Sequence, residues 1–482
     1  MTAEVLRNYI GGDWVAAETT NRQAVRNPAT EDVIAEVPLC GAAEIDAAAQ
    51  AADAAFESWR RVPAAERARY LFELKYLMEK HADELAAIVT REHGKTRSEA
   101  RGSVQRGIEC VEVACGAPSL LMGHTLEDVS RGIDCQAIRQ PMGVFACIAP
   151  FNFPAMVPLW FFPFAVVCGT TFVCKPSEQV PMSQRFLFEL VHEAGFPPGV
   201  LNLVNGGRKA VEAIIAHPLI RGVSFVGSSP VAKLVYQGAA ATGKRVQALG
   251  GAKNFMVVMP DADRELAVEN LAASAYGCAG ERCLAGSVVL AVGDTHSWLR
   301  EGLAEKAKAV VVGDGMQDGV TMGPVISEAH LEKVTGYVEK GVEQGADLVV
   351  DGRRAERPDK GHFIGACLFD NVSPDMVIAQ EEIFGPVLCI MPVADLDEAM
   401  QRISDHPLAN ACSIFTDSGK AVRKFKYEVD ASMAAVNIGV PAPMSYFSFG
   451  GAKGSFYGDL KAHGRESFDF YTDRKVLISR WD

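Results

Sequence analysis

From Pro141 to Cys174 the chain carries no charged residue, and this run limits the possible folds more than any other stretch. A segment so long and so uncharged must be buried, in a bilayer or in a protein core. Prolines at 141, 150, 154, 158 and 163 cut it into pieces too short for a spanning helix. Each proline removes a backbone donor and clashes with the preceding turn. Asn152 would also be stranded in hydrocarbon. The segment therefore reads as strands and short helices inside a globular protein, with no membrane contact.

The flanking sequence extends that reading. Apolar runs at 142–149, 171–175, 200–204, 223–226 and 246–249 alternate with helical periodicity, as over 182–194, which Gly195 and Pro197 close. Alternating strands and helices imply a parallel sheet covered on both faces, with ligands bound at the carboxyl ends of its strands. Asn152, Lys175 and Gly227 fall at or just after such ends. A second set begins near residue 261, with helices over 264–276 and 330–344 and strands over 287–292 and 387–393. Upstream, helical spacing covers 43–59 and 64–92 and continues to about 117. The stretch 125–139 reads as an exposed strand, and the tail 468–481 as an extended strand without a local partner.

A chain of 482 residues is too long for one core and divides into two or three domains. Net charge −13 excludes non-specific nucleic-acid binding, which needs clustered Lys and Arg. It also provides no general attraction for anions, so any anion site must be local. The twelve cysteines form no CxxC pair and no zinc-like spacing with His. They imply free thiols in a reducing cytoplasm and no metal centre.

Two local features suggest chemistry. Phe225-Val226-Gly227-Ser228-Ser229-Pro230 reads as a strand end, a glycine turn and a helix start, whose amides and dipole suit a phosphate. No GxGxxG string accompanies it. Cys283 lies in Gly280-Glu281-Arg282-Cys283-Leu284-Ala285-Gly286, just past a predicted helix and beside a fixed cation. Alone, any one of twelve cysteines is a buried core thiol.

Five motifs in order change that reading: Pro150-Phe151-Asn152-Phe153-Pro154, Cys174-Lys175-Pro176-Ser177-Glu178, Phe225-Val226-Gly227-Ser228, Gly280-Glu281-Arg282-Cys283 and Glu381-Glu382-Ile383-Phe384-Gly385-Pro386. Together they resemble the aldehyde dehydrogenase superfamily over nearly the whole chain. The longer string from Ile148 to Trp160, Phe447-Ser448-Phe449-Gly450-Gly451 and the end around Gly458-Asp459-Leu460 look most like its methylmalonate-semialdehyde dehydrogenase branch.

The resemblance implies an α/β fold of two doubly wound parallel-sheet domains and a small β oligomerisation arm. The expected division is an NAD-binding domain of residues 1–122 and 142–249, a catalytic domain of 250–450, and an arm of 123–141 and 451–482. Cys283 would attack an aldehyde to give a thiohemiacetal, with the Asn152 amide and the Cys283 N–H holding the oxyanion. Such a donor is worth roughly 3–4 kcal/mol elsewhere. Phe151, Lys175, Glu178, Gly227, Ser228, Glu382 and Phe384 would hold NAD. A carboxylate at Glu178 would repel a 2′-phosphate and so favour NAD over NADP.

One departure from the family pattern sets the subtype. Relatives carry a water-activating Glu in a Glu-Leu-Gly-Gly string, where this chain has Ala248-Leu249-Gly250-Gly251. General-base help is typically worth roughly 10²–10⁴-fold, so hydrolysis of a thioester should be slow. Coenzyme A ionises more readily than water and can attack unaided. Arg106 and Arg282 are candidates to clamp a substrate carboxylate and to lower the pKa of Cys283.

The expectation is an NAD-dependent, coenzyme A-acylating oxidation of malonate or methylmalonate semialdehyde by a homotetramer or homodimer. A hydrolytic dehydrogenase using another base such as Glu281, and a non-catalytic binding protein, remain as alternatives. Specificity residues are expected around Phe153, Trp160 and Phe447.

Overall fold

Three main sheets and two two-stranded ribbons, Arg22–Arg26 with Val33–Pro38 and Leu408–Ala409 with Ala452–Lys453, organise residues 4–481, which the computed structural model describes. The first has the order Asp13–Val15, Asn8–Ile10, Leu201–Leu203, Thr171–Lys175, Val144–Ile148, Ile220–Val226, Arg245–Leu249 and Phe456–Gly458. Its inner strands run parallel, with Val144 opposite Thr171, Ile148 opposite Lys175 and Val226 opposite Leu249. Antiparallel strands close both edges. Val144–Ile148 is buried at every residue, as a central strand covered on both faces requires.

The uncharged run supplies the middle of this layer. It forms Val144–Ile148, a 3₁₀ turn Val157–Trp160, a short helix Phe162–Val167 and Thr171–Lys175. Trp59 Nε1 and Arg67 Nε donate to the carbonyls of Val166 and Val167 at 2.9 and 2.8 Å. Among the described residues no helix is long and apolar enough to cross a membrane.

The second sheet has the order Asp347–Val350, Cys367–Asp370, Val387–Val393, Gly286–Val292, Asn254–Val258, Ala411–Phe415 and Met433–Val436. All its neighbours are parallel except at the Asp347–Val350 edge. The third sheet pairs Thr472–Arg480 with Ile133–Pro141, and that strand with His124–Ser130.

Some boundaries differ from the sequence reading. Residues 64–92 form two helices, Ala64–Lys80 and Ala82–His93, broken at His81. The tail begins as a helix, Gly464–Tyr471, before it becomes a strand. That strand's partner lies more than three hundred residues upstream in sequence, from Thr472 opposite Pro141 to Arg480 opposite Ile133. Local periodicity carries no such information. Phe456–Gly458 pairs with the first sheet, so part of 451–482 lies outside the arm. Arg139 pairs with Asp469 at 2.7 Å, and Arg245 caps the carbonyls of Asp469, Phe470 and Thr472, fixing the root of the arm.

Glu92 links the N-terminal helices to the first sheet's outer layer. Its buried carboxyl accepts the N–H groups of Met182 and Ser183 at 2.6 and 3.0 Å, the first turn of the helix Met182–Glu193. Burial pushes its pKa up to about 7 despite those bonds. Because the folded value lies above the unfolded one, this group's contribution is complete in acid and is lost as pH rises through about 7. Glu92→Gln should therefore cost most stability near pH 5, and its deficit against the wild type should narrow by roughly 1–3 kcal/mol toward pH 8. Thermal unfolding of both proteins across that range measures it; a deficit that widens with pH contradicts the assignment.

Candidate functional site

The carboxyl edge of the first sheet faces the amino edge of the second. Asn152 follows the strand Val144–Ile148, while Cys283 precedes Gly286–Val292, Glu382 and Phe384 precede Val387–Val393, and Asn410 precedes Ala411–Phe415. The nucleophile candidate and its partner amide therefore come from different sheets.

The loop that carries Cys283 has an unusual backbone. After the helix Arg264–Tyr276, the residues Cys278, Ala279 and Gly280 all have positive φ, at 50°, 51° and 72°. A Cβ on Gly280 would overlap the Gly385 carbonyl, so this position must be glycine for the two motif loops to meet. Glu99 holds the turn by accepting the Cys278 N–H at 2.6 Å, while its other oxygen caps its own helix at Thr96. Two amides then grip the Cys283 carbonyl: Asn254 Nδ2 and Asn410 Nδ2, each at 2.9 Å.

Asn152 Nδ2 approaches Cys283 Sγ at 3.6 Å and also donates to the Glu281 carbonyl at 3.0 Å. The Asn152 amide thus lies where charge would develop on a carbonyl oxygen attacked by that sulfur. Burial raises the thiol to about 11; the Asn152 hydrogen bond opposes that rise, Glu382 adds to it and Lys95 opposes it.

The expected lowering of this pKa by the arginines does not occur. The Arg282 guanidinium turns away to Cys278 Sγ and the Ala273 carbonyl, both at 3.3 Å, and to Glu99 at 3.4 Å. Arg106 binds Glu109 at 2.8 Å and the Pro443 carbonyl at 2.6 Å. Both arginines nevertheless line the same cavity as Cys283, of about 420 Å³. Phe153, Met156, Trp160 and Phe449 form its apolar wall. Phe447, expected there, is 69% exposed and lies outside that wall. Ser445, Cys110 and His463 form a hydrogen-bonded cluster at the same cavity, with Cys110 Sγ 3.3 Å from Ser445 Oγ. Burial drives His463 down to about 3, so it is neutral.

Lys175 and Gly227 lie at the ends of their strands, as the apolar pattern implied. Lys175, at its strand end, is 3% exposed rather than a surface residue, and bonds Glu178 at 3.2 Å and the Gly206 carbonyl at 2.8 Å. Gly227 ends Ile220–Val226 and Ser228 precedes the helix Ser229–Ala240, where its side chain makes no capping bond. Glu382 accepts the Ala252 N–H at 2.8 Å, and burial raises its pKa. Phe384 has φ 60° and packs edge-on to Phe151 at 5.8 Å. Ala248 and Leu249 are buried apolar residues.

Glu281 is fully buried behind the loop. It accepts the Ile326 N–H at 3.1 Å and faces His93 and His330 at 3.6 Å, and burial raises its pKa to about 8. A carboxyl so enclosed has no access to water in the cavity, which removes it as a substitute base.

Lys95, Asn254 and Asn410 carry no motif of their own. The one legible signal near Lys95 is the capping box Thr96-x-x-Glu99 that follows it. Asn410→Ala should lower kcat about tenfold with secondary structure retained, because the loop loses one of two anchors on a single carbonyl. Steady-state kinetics beside circular dichroism tests this, and an unchanged kcat contradicts it.

Comparison with known proteins agrees with this geometry. Residues 14–477 match the model of the Aldehyde dehydrogenase family. Malonate-semialdehyde dehydrogenase 1 of Geobacillus kaustophilus is 52% identical over 480 residues, 99% of this chain and 98% of that protein. The crystal structure of methylmalonate-semialdehyde dehydrogenase from Oceanimonas doudoroffii superimposes with a TM-score of 0.98, at 46% identity over 99% of each chain. An NAD+ complex of aldehyde dehydrogenase from Bacillus cereus gives 0.95 at 32% identity, covering 99% of this chain and 97% of that one.

Proposed function

The chain belongs to the aldehyde dehydrogenase family, and from that premise we propose that it oxidises malonate or methylmalonate semialdehyde with NAD and passes the acyl group from Cys283 to coenzyme A. The observation that carries the acylating step is the base position, filled by buried Ala248 or Leu249. Glu281 is sealed behind the loop, and Glu99, in the cavity wall, is engaged by Cys278, Arg282 and Thr96. Water entering the cavity finds neither carboxylate free to deprotonate it, whereas a thiol needs no such help.

The crevice residues fit NAD. The buried ammonium of Lys175 and the carboxylate of Glu178 meet at one strand end, suited to ribose hydroxyls. The open first turn at Ser228 suits a phosphate. Glu382 lies behind Gly251, where a Cβ would overlap its carboxylate, and its charge is felt at the sulfur. When bound, NAD supplies the hydride acceptor. The remaining work falls to the chain: Cys283 forms the thiohemiacetal, Asn152 and the Cys283 N–H hold its oxyanion, and loss of hydride leaves a thioester. Overall, malonate semialdehyde, NAD+ and coenzyme A give acetyl-CoA, CO₂ and NADH, and the methyl homologue gives propionyl-CoA. Arg106 and Arg282 line the cavity and supply local positive charge in a chain of net charge −13.

A hydrolytic reading has one supporting observation: Glu382 acts electrostatically on the sulfur. Assaying NADH formation and products with and without coenzyme A separates the two. The proposal expects turnover at least tenfold slower without coenzyme A; free acid at full rate in its absence supports hydrolysis by Glu382. In the same assay Arg106→Met should raise KM for the semialdehyde acids about 100-fold while sparing an uncharged aldehyde of similar length. Equal effects on both substrates would remove the clamp.

The arm is proposed as a protomer interface in a homodimer or homotetramer. Leu126, Val476, Ile478 and Trp481 are each at least 60% exposed, an apolar concentration unsuited to water. The twelve free thiols suit a reducing cytoplasm. Val476→Asp with Ile478→Asp should reduce the mass in light scattering to that of a smaller assembly; an unchanged mass would place the interface elsewhere.

A further inference from the structure

The nucleophile sits where its own loop gives it little electrostatic help. Cys283 is half-buried at the cavity wall, and its ionisation is opposed first by desolvation and then by the charge of Glu382. Arg282, next in sequence, spends its donors on Cys278, Ala273 and Glu99. A thiolate in such a place needs a cation from another element.

Lys95 is that element's contribution. It lies in the turn between the helices Ala82–His93 and Arg97–Cys115 and is 1% exposed. Its Nζ donates to the Asn152 carbonyl at 2.6 Å and lies 3.7 Å from the centroid of the Phe153 ring. The acids that feel its charge are engaged elsewhere: Glu99 pairs with Arg282 at 3.4 Å, and Glu281 faces His93 and His330. A buried ammonium without an ion-pair partner is costly and is retained where its field is used. The residue it holds is Asn152, whose side-chain amide reaches Cys283 Sγ at 3.6 Å.

We propose that Lys95 is a positioning residue for the nucleophile, its buried ammonium fixing the Asn152 backbone and favouring the Cys283 thiolate over the thiol. The inference rests on Cys283 being the nucleophile and is independent of which aldehyde is oxidised. The charged and titratable groups around the pair are few. Glu382 and Lys95 act on the sulfur with opposite sign; Glu99, Glu281, Cys278 and Arg282 surround Lys95; burial and Lys95 itself keep His93 neutral. Burial lowers the pKa of Lys95, and it is the protonated form that acts on the sulfur; on ionisation the thiol proton leaves to solvent.

Alkylation by iodoacetamide reads this directly. The thiolate displaces iodide and forms a thioether, so the labelling rate of the Cys283 peptide, followed by mass spectrometry against pH, gives the thiol's ionisation without any turnover. Lys95→Met should move the midpoint up by about one pH unit, slowing labelling below the midpoint about tenfold. Lys95→Gln, which keeps a donor for the Asn152 carbonyl but no charge, should move it as far. Lys95→Arg should restore most of the shift. If the Met variant fails to fold, the Gln variant carries the test. Neutral variants that label with the wild-type midpoint overturn the proposal even if turnover falls, because the lysine then only packs the turn. Failure of the nucleophile reading has a separate signature: Cys283→Ala would keep forming NADH.

Discussion

At Gly280 and Gly385 two loops pass with no room for a side chain between them, and the reactive centre depends on that contact. The approach forces Cys278 and Ala279 into left-handed backbone, and Phe384 has the same conformation at φ 60°. Each such non-glycine residue costs roughly 1–2 kcal/mol, so the surroundings must over-determine it. They do so with polar bonds rather than apolar packing alone. Glu99 takes the Cys278 N–H, two asparagines take the Cys283 carbonyl, and the Phe384 carbonyl lies 2.7 Å from His330 Nε2. A sulfur on a loop is thereby held as rigidly as one on a strand.

The same contact explains why two sheets are needed. Parallel strands present all their carboxyl ends on one edge and all their amino ends on the other. Here the carboxyl edge of the first sheet brings Asn152, Lys175 and Gly227, and the amino edge of the second brings Cys283, Glu382 and Asn410. The residues proposed to hold a dinucleotide and the proposed nucleophile are thus placed on separately packed cores. The glycine-tight junction sets the distance between them.

The sequence discloses the fold where periodicity is local and the site where residue types are rare. Strands such as Thr171–Lys175 and Val387–Val393 and the helix Arg264–Tyr276 match their apolar patterns residue for residue. The partner of the tail strand is illegible because pairing across such a sequence separation leaves no trace in either strand. Cys283, Asn152 and Glu382 are legible through their motifs, and the structure brings Asn152 and Cys283 within 3.6 Å. The direction of the Arg282 side chain is not, since it depends on Glu99, a residue nearly two hundred positions away. Adjacency in sequence to a thiol is not proximity of charge, and Arg282 does nothing to offset the burial that raises the thiol to about 11.

That raised thiol and the missing base belong to one electrostatic arrangement. Behind the loop, Glu281 is pushed up to about 8 and His93 is driven well below its ordinary value, so this layer is largely neutral near pH 7. The charges that act on the sulfur are then Lys95, which favours an anion, and Glu382, which opposes one. A thioester formed there meets attackers that must bring their own negative charge. Water ionises near 15.7 and a thiol near 8.5, a gap of about seven units. Without a carboxylate at position 248 to bridge that gap, hydroxide is too scarce in the cavity, whereas a thiolate is available at neutral pH. In the acylating reading proposed here, the pocket selects its second substrate by acidity: it withholds a base and leaves ionisation to the incoming group.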